Sequence, residues 1–249
     1  METSDFLLIL ATFLAAGTVK GVIGLGLPTV SLGLLTVAFD LPSAMALLIV
    51  PSLVTNLLQA ITGGQGRAIL ARIWPFLLMA TLAVWIGTRV LIRVDLNLMS
   101  SLLGLLLIAY AIIGLVGFQM SMSRSNERWA GPVLGLVNGI LTGMTGSFIV
   151  PGVMFLQSIR LQRDALIQAM GILFAVSTLA LAIALQRNGL VTGSIGLAST
   201  LALVPALIGM WLGRGVRARL SEAIFRKVFF AAILLLGAYI LIHAILGNG

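Results

Sequence analysis

No cysteine occurs in the 249 residues. Disulfides, thiolate chemistry and cysteine metal sites are therefore excluded. Charge is scarce: only 9% of residues are Asp, Glu, Lys or Arg. The seven acidic residues are Glu2, Asp5, Asp40, Asp95, Glu127, Asp164 and Glu222, and all fall at the ends of hydrophobic runs or between them. Cation and proton pathways through membranes usually carry carboxylates at depth. Their absence speaks against a cation carrier and against a carboxylate proton relay. The single histidine, His243, lies near the C-terminus. With no nucleophile–base pair and no metal-ligand cluster, neither an enzyme nor a cofactor is expected.

Apolar sequence is what remains. The chain is 60% hydrophobic, with a mean hydropathy of +1.16. That composition belongs to a polytopic membrane protein with the lipid bilayer as its solvent. The formal net charge of +8 is no nucleic-acid signal here. The arginines stand singly or in pairs at the ends of apolar runs, where they reach headgroups. Met1-Glu-Thr-Ser-Asp5 lacks a basic leader region, so the first run is expected to be a retained helix.

The runs are organised around Lys20-Gly21-Val-Ile-Gly24-Leu-Gly26-Leu-Pro28 and its echo, Gly139-Ile-Leu-Thr142-Gly143-Met-Thr-Gly146-Ser-Phe-Ile-Val-Pro151. Each lies in a run (6–39 and 130–159) longer than the roughly 20 residues a straight crossing needs. Glycines with a following proline predict a helix that breaks, and broken backbone at membrane depth must be buried in protein or line a cavity. A second pair of similar stretches is Ile86-Gly87-Thr-Arg89 and Leu212-Gly213-Arg214, each preceding the last run of its half. Two pairs in the same order point to duplication, as in many secondary carriers. The expected fold is an all-α membrane protein of about eight transmembrane helices. One membrane domain would consist of two related four-helix halves, 6–118 and 130–246, joined by the polar linker 119–129. Helices 1 and 5 would be broken or re-entrant. Full crossings throughout make the repeats parallel; re-entrant hairpins make them inverted. Both remain open.

With eight full crossings and the N-terminus outside, the inner loops carry Arg89, Arg93, Arg160, Arg163, Arg214, Arg217, Arg219, Arg226 and Lys227. The outer loops carry Arg67, Arg72, Arg124, Arg128 and Arg187. The excess of positive charge inside places both termini outside.

Lys20 is the sharpest single residue. An ammonium deep in run 1 costs several kcal/mol unless paired or hydrated, and no acidic residue occurs between Asp5 and Asp40. A cation beside freed N–H groups and a restarting helix invites an anion. The alternative is an early helix end with Lys20 reaching headgroups. The glycines also have a second reading, as close helix contacts. Candidate anion-binding residues are thus Lys20, Gly24, Gly26, Gly143 and Gly146, with Asn56, Gln59, Asn138 and Thr142 as polar contacts. Interhelical hydrogen bonding is the other reading of those last four.

These stretches resemble the sulfite/sulfonate exporter family of TauE/SafE type across nearly the whole chain. The marks are Gly21-Val-Ile-Gly-Leu-Gly-Leu-Pro28, the repeat from Gly139 with Pro151, helix starts after Asp40 and Arg163, Leu207-Ile-Gly-Met-Trp-Leu-Gly213, and Leu-Leu-Leu-Gly237-Ala-Tyr. Leu27 and Pro28 stand where that family usually has further glycine. The resemblance implies a plasma-membrane permease with two related halves and a small anionic substrate such as sulfite or a sulfonate. The expected site lies near mid-membrane between runs 1 and 5. Rival readings are an uptake permease for another anion and a membrane scaffold. Lipid-facing and subunit-facing surfaces look alike in sequence, so a homodimer stays open.

Overall fold

A computed structural model describes residues 2–118, 121–217 and 221–246. Gln119 and Met120, within the expected linker, lie outside them. The described residues contain no strand. Twelve helices follow in order: α1 (Thr3–Ile23), α2 (Leu27–Ala38), α3 (Leu41–Leu47), α4 (Ile49–Ile61), α5 (Gly66–Leu91), α6 (Leu96–Val116), α7 (Arg124–Thr145), α8 (Gly152–Ser158), α9 (Arg163–Arg187), α10 (Gly193–Leu201), α11 (Leu203–Arg217) and α12 (Glu222–Leu246). Among the described residues, six spans are long and apolar enough to cross a membrane, or seven if α3 and α4 count as one bent span. About eight were expected. α7 is not among them, and it opens on Arg124, Glu127 and Arg128.

The acidic punctuation of the sequence becomes helix caps. Asp40 accepts the Ser43 N–H at 2.7 Å and starts α3. Asp95 accepts from Asn97 and Leu98 at 2.8 and 3.3 Å and starts α6. Each satisfies N–H groups that a helix end leaves without partners.

The chain forms two compact units. The first comprises Met1–Pro51, Val94–Gly117 and Gly189–Gly249; the second comprises Ser52–Arg93 and Phe118–Asn188. In the first, α1 runs alongside α11 in the same direction: Gly17 meets Ala206, and Gly21 meets Met210 and Gly213. In contrast, α6 and α12 are antiparallel, with Gly104 against Gly237 and Leu241, and Gly114 against Phe230. α2 follows α12, since Gly26 lies by Phe229 and Gly33 by Leu236. In the second unit α5 and α7 are parallel, with Gly135 on Phe76, Gly139 on Ala80 and Gly143 on Val84. Absent side chains let these backbones touch, which is how membrane helices associate without a hydrophobic driving force between them.

The antiparallel packing of α6 and α12 bears on the direction of the spans, which the sequence left open. Eight full crossings would make these two helices parallel and would group Arg89 and Arg93 with the loop after α11. Instead the start of α6 lies beside the end of α12. The first unit consequently has two chemically different ends. One gathers Glu2, Asp5, Asp40 and Asp95. The other, where α11 stops and α12 starts, carries Arg214, Arg226 and Lys227, while Arg219 lies outside the described residues.

The glycine contacts give a stability prediction. A Cβ on Gly143 would overlap the Val84 carbonyl oxygen and come within 2.6 Å of the Thr88 nitrogen. Backbone cannot swing aside as a side chain can, so Gly143→Val should cost at least the ~1–3 kcal/mol of ordinary overpacking. Gly193, where an added Cβ meets nothing within 4 Å, should tolerate alanine. Melting of the two variants in detergent separates the cases; equal melting temperatures would contradict the packing role.

Candidate functional site

In the first unit, α1 ends where the Gly24 N–H donates to the Lys20 carbonyl at 2.8 Å. Gly24 has φ 79° and Gly26 φ 107°. Both are left-handed, a conformation glycine adopts without steric cost. α2 then restarts at Leu27 with Pro28 in its first turn, where a missing N–H costs nothing. No side chain of its capping residue, Gly26, can serve the new helix end.

Lys20 is 3% exposed. It is therefore covered by the protein. It sits in the last turn of α1, whose carbonyl end favours a cation. Gly21 is level with Gly213, four residues before α11 stops, which at 1.5 Å per residue is about 6 Å from the basic end of the unit. Thr29, in the first turn of α2, is 4% exposed and its hydroxyl has no hydrogen-bond partner.

The second unit holds the echo. Gly146 has φ 73° and its N–H donates to the Thr142 carbonyl at 2.8 Å. The Thr142 hydroxyl donates to the Ser147 carbonyl at 3.0 Å, and the Thr145 hydroxyl accepts the Ser147 N–H at 3.2 Å. Asn138 accepts the Gly152 N–H at 2.9 Å, which fixes its oxygen toward α8. Its amide nitrogen is buried without a partner. Gly143 serves the α5–α7 contact rather than the turn.

Asn56 and Gln59 belong to the same unit. Asn56 is fully buried and donates to the Ser52 hydroxyl at 2.9 Å, which lies 3.3 Å from that of Thr178. Gln59 donates to the Ile167 carbonyl at 2.7 Å, while Gln168 donates to the Ala60 carbonyl at 2.8 Å and accepts the Gln65 N–H at 3.0 Å. This exchange ties α4 to α9 and uses Gln59 as interhelical glue.

Lys20, Gly24 and Gly26 thus share the first unit, and Asn56, Gln59, Asn138, Thr142, Gly143 and Gly146 the second. Among the described residues, no group of three or more His, Cys, Asp or Glu could hold a metal. The model of the family described as Sulfite exporter TauE/SafE matches residues 8–240. The chain belongs to this family. No curated protein and no solved structure matches it significantly. Membership in the TauE/SafE family makes the chain a membrane transporter by descent.

Proposed function

We propose that this TauE/SafE member is a secondary exporter of small sulfur-containing or related organic anions across the bacterial inner membrane. The carrying observation is the burial of Lys20 beside the left-handed pair Gly24 and Gly26, at a helix start without a side-chain cap. A cation, freed N–H groups and the positive end of α2 all favour an anion.

The reading includes two repeat halves that work by alternating access. The antiparallel α6–α12 pair supports inverted rather than parallel repeats, because each helix ends its own half. It also supports α1 and α2 as a hairpin: α1 follows α11, α2 follows α12, and successive spans alternate in direction. With each half counted that way, about eight spans become an odd number of passes per half. The basic end of the first unit would face the cytoplasm by the positive-inside rule, leaving both termini outside. A chain without cysteine makes this testable. Ser4→Cys should react with an impermeant maleimide in intact cells, and Ser221→Cys only after permeabilisation. The reverse pattern would invert the orientation.

An anion leaves an inside-negative cell downhill by about 2.3 kcal/mol per charge per 100 mV, so export needs no coupling ion. Proteoliposomes loaded with sulfite or a sulfonate test this. Efflux should follow the imposed potential. Efflux that ignores potential and follows a proton or sodium gradient would sink the uncoupled mechanism.

A further inference from the structure

We propose that the two glycine turns are not equivalent: the oxyanion is held at the first, with the Thr29 hydroxyl as a donor, while the second is closed by its own side chains. This rests on the anion-export reading and names the residues that carry it.

The turns begin alike. Gly24 caps onto Lys20 and Gly146 onto Thr142, both at 2.8 Å, and 146 − 24 equals 142 − 20. Lys20 and Thr142 therefore occupy the same station in their halves. From there they diverge. In the second turn Thr142 and Thr145 both bond Ser147, and Asn138 takes up the first N–H of α8. The same offset of 122 from Asn138 leads to Ala16, which has no polar group to offer α2.

In the first turn, the earliest N–H bonded within the helix is that of Val30, to Gly26 at 2.8 Å. The N–H groups of Leu27 and Thr29 come before it, so neither has a carbonyl of its own helix to bond. The Thr29 hydroxyl is an exception among its neighbours. Thr18, Ser31 and Thr36 each donate to the carbonyl four residues back, at 2.8, 2.7 and 2.7 Å. For Thr29 that position is Leu25, which lies in the glycine turn rather than in a helix. Its hydroxyl stays buried and unpartnered, on a side chain that leans toward the helix start. A buried donor without an acceptor is costly; an oxyanion supplies one. The amide nitrogen of Asn138 is also unpartnered, but no lysine stands in its turn, and a single neutral donor does not select for charge.

The ligand class is an oxyanion that can accept several hydrogen bonds at once, as sulfite or a sulfonate can. Thermal stabilisation of the purified full chain by sulfite, methanesulfonate and chloride tests this. Sulfite or methanesulfonate should stabilise the wild type, and chloride should not. Thr29→Val should weaken the oxyanion by about 10-fold or more, as expected for a lost hydrogen bond to a charged group. Thr29→Ser should restore affinity to within about 3-fold. If Val does not yield folded protein, Thr29→Ala reads the same loss. Unchanged affinity in Thr29→Val, or a loss in Thr142→Val instead, would overturn the assignment while leaving export standing. A wild type that none of these anions stabilises would overturn the export reading itself.

Discussion

Lys20→Gln should leave a protein that reaches the membrane and folds, yet exports anion about 10- to 100-fold more slowly at low substrate, the span expected for one charged hydrogen bond. Glutamine keeps much of the lysine's length and hydrogen-bonding capacity and removes only its charge. Because Lys20 is 3% exposed, its charge carries a desolvation cost. Removing it should leave melting unchanged or raised. Loss of flux with retained stability is the signature of a binding cation, whereas a structural lysine would lose stability first. Lys20→Arg keeps the charge but needs room for a planar fork, and α1 packs backbone to backbone on α11 one residue away, at Gly21. It should therefore recover flux only in part. Efflux from proteoliposomes with matched amounts of reconstituted protein is the measurement. Equal flux in wild type and Lys20→Gln would remove Lys20 from the site and favour a scaffold role.

Local chemistry made some of this legible in sequence. Asp40 and Asp95 announce helix starts because an N-cap acts within three residues of itself. Gly24, Gly26 and Gly146 announce turns because left-handed backbone selects glycine. The similarity of the stretches around Gly87 and Gly213 was visible too, but not what each glycine touches. Gly213 lies on Gly21, and Gly87 on Gly143. Each packs on a helix that ends in a glycine turn, α1 or α7, a tertiary fact with no local signature. The direction of α12 against α6 was hidden for a related reason: uniformly apolar helices do not encode which neighbour they run against.

For other residues the sequence allowed two readings. Gln59 could serve as a donor for substrate or as an interhelical contact, and its amide donates to the Ile167 carbonyl. Thr29 is inconspicuous in sequence because hydroxyls in helices commonly bond the preceding turn. The signal that could have found it is its place directly after Pro28, where the carbonyl four residues back belongs to the glycine turn. Legibility thus stops where a side chain's partner lies outside its own turn.

The clearest partner of that kind is the pair Arg72 and Glu127, 55 residues apart in sequence. Arg72 donates to both carboxylate oxygens of Glu127, at 2.9 and 2.5 Å, and to the Ile159 carbonyl at 2.7 Å. One guanidinium thereby joins α5, the first turn of α7 and the residue that ends α8. The side chains are 20% and 10% exposed, so water screens the pair only in part. Removing one partner of a fully buried pair costs ~3–5 kcal/mol, because the other charge is stranded. With this exposure Arg72→Met should cost nearer to about 2–3 kcal/mol, scaled down from that range. Glu127→Gln keeps an acceptor and should cost about half as much, since hydrogen bonding survives and only the charge is lost. The decisive variant is Arg72→Met with Glu127→Leu. If the cost of the single change is a stranded carboxylate, the double variant should be no less stable than Arg72→Met alone, a coupling of about 1–3 kcal/mol. Detergent melting of all four proteins measures it. Additive losses would mean instead that the two side chains contribute separately, Arg72 chiefly through Ile159.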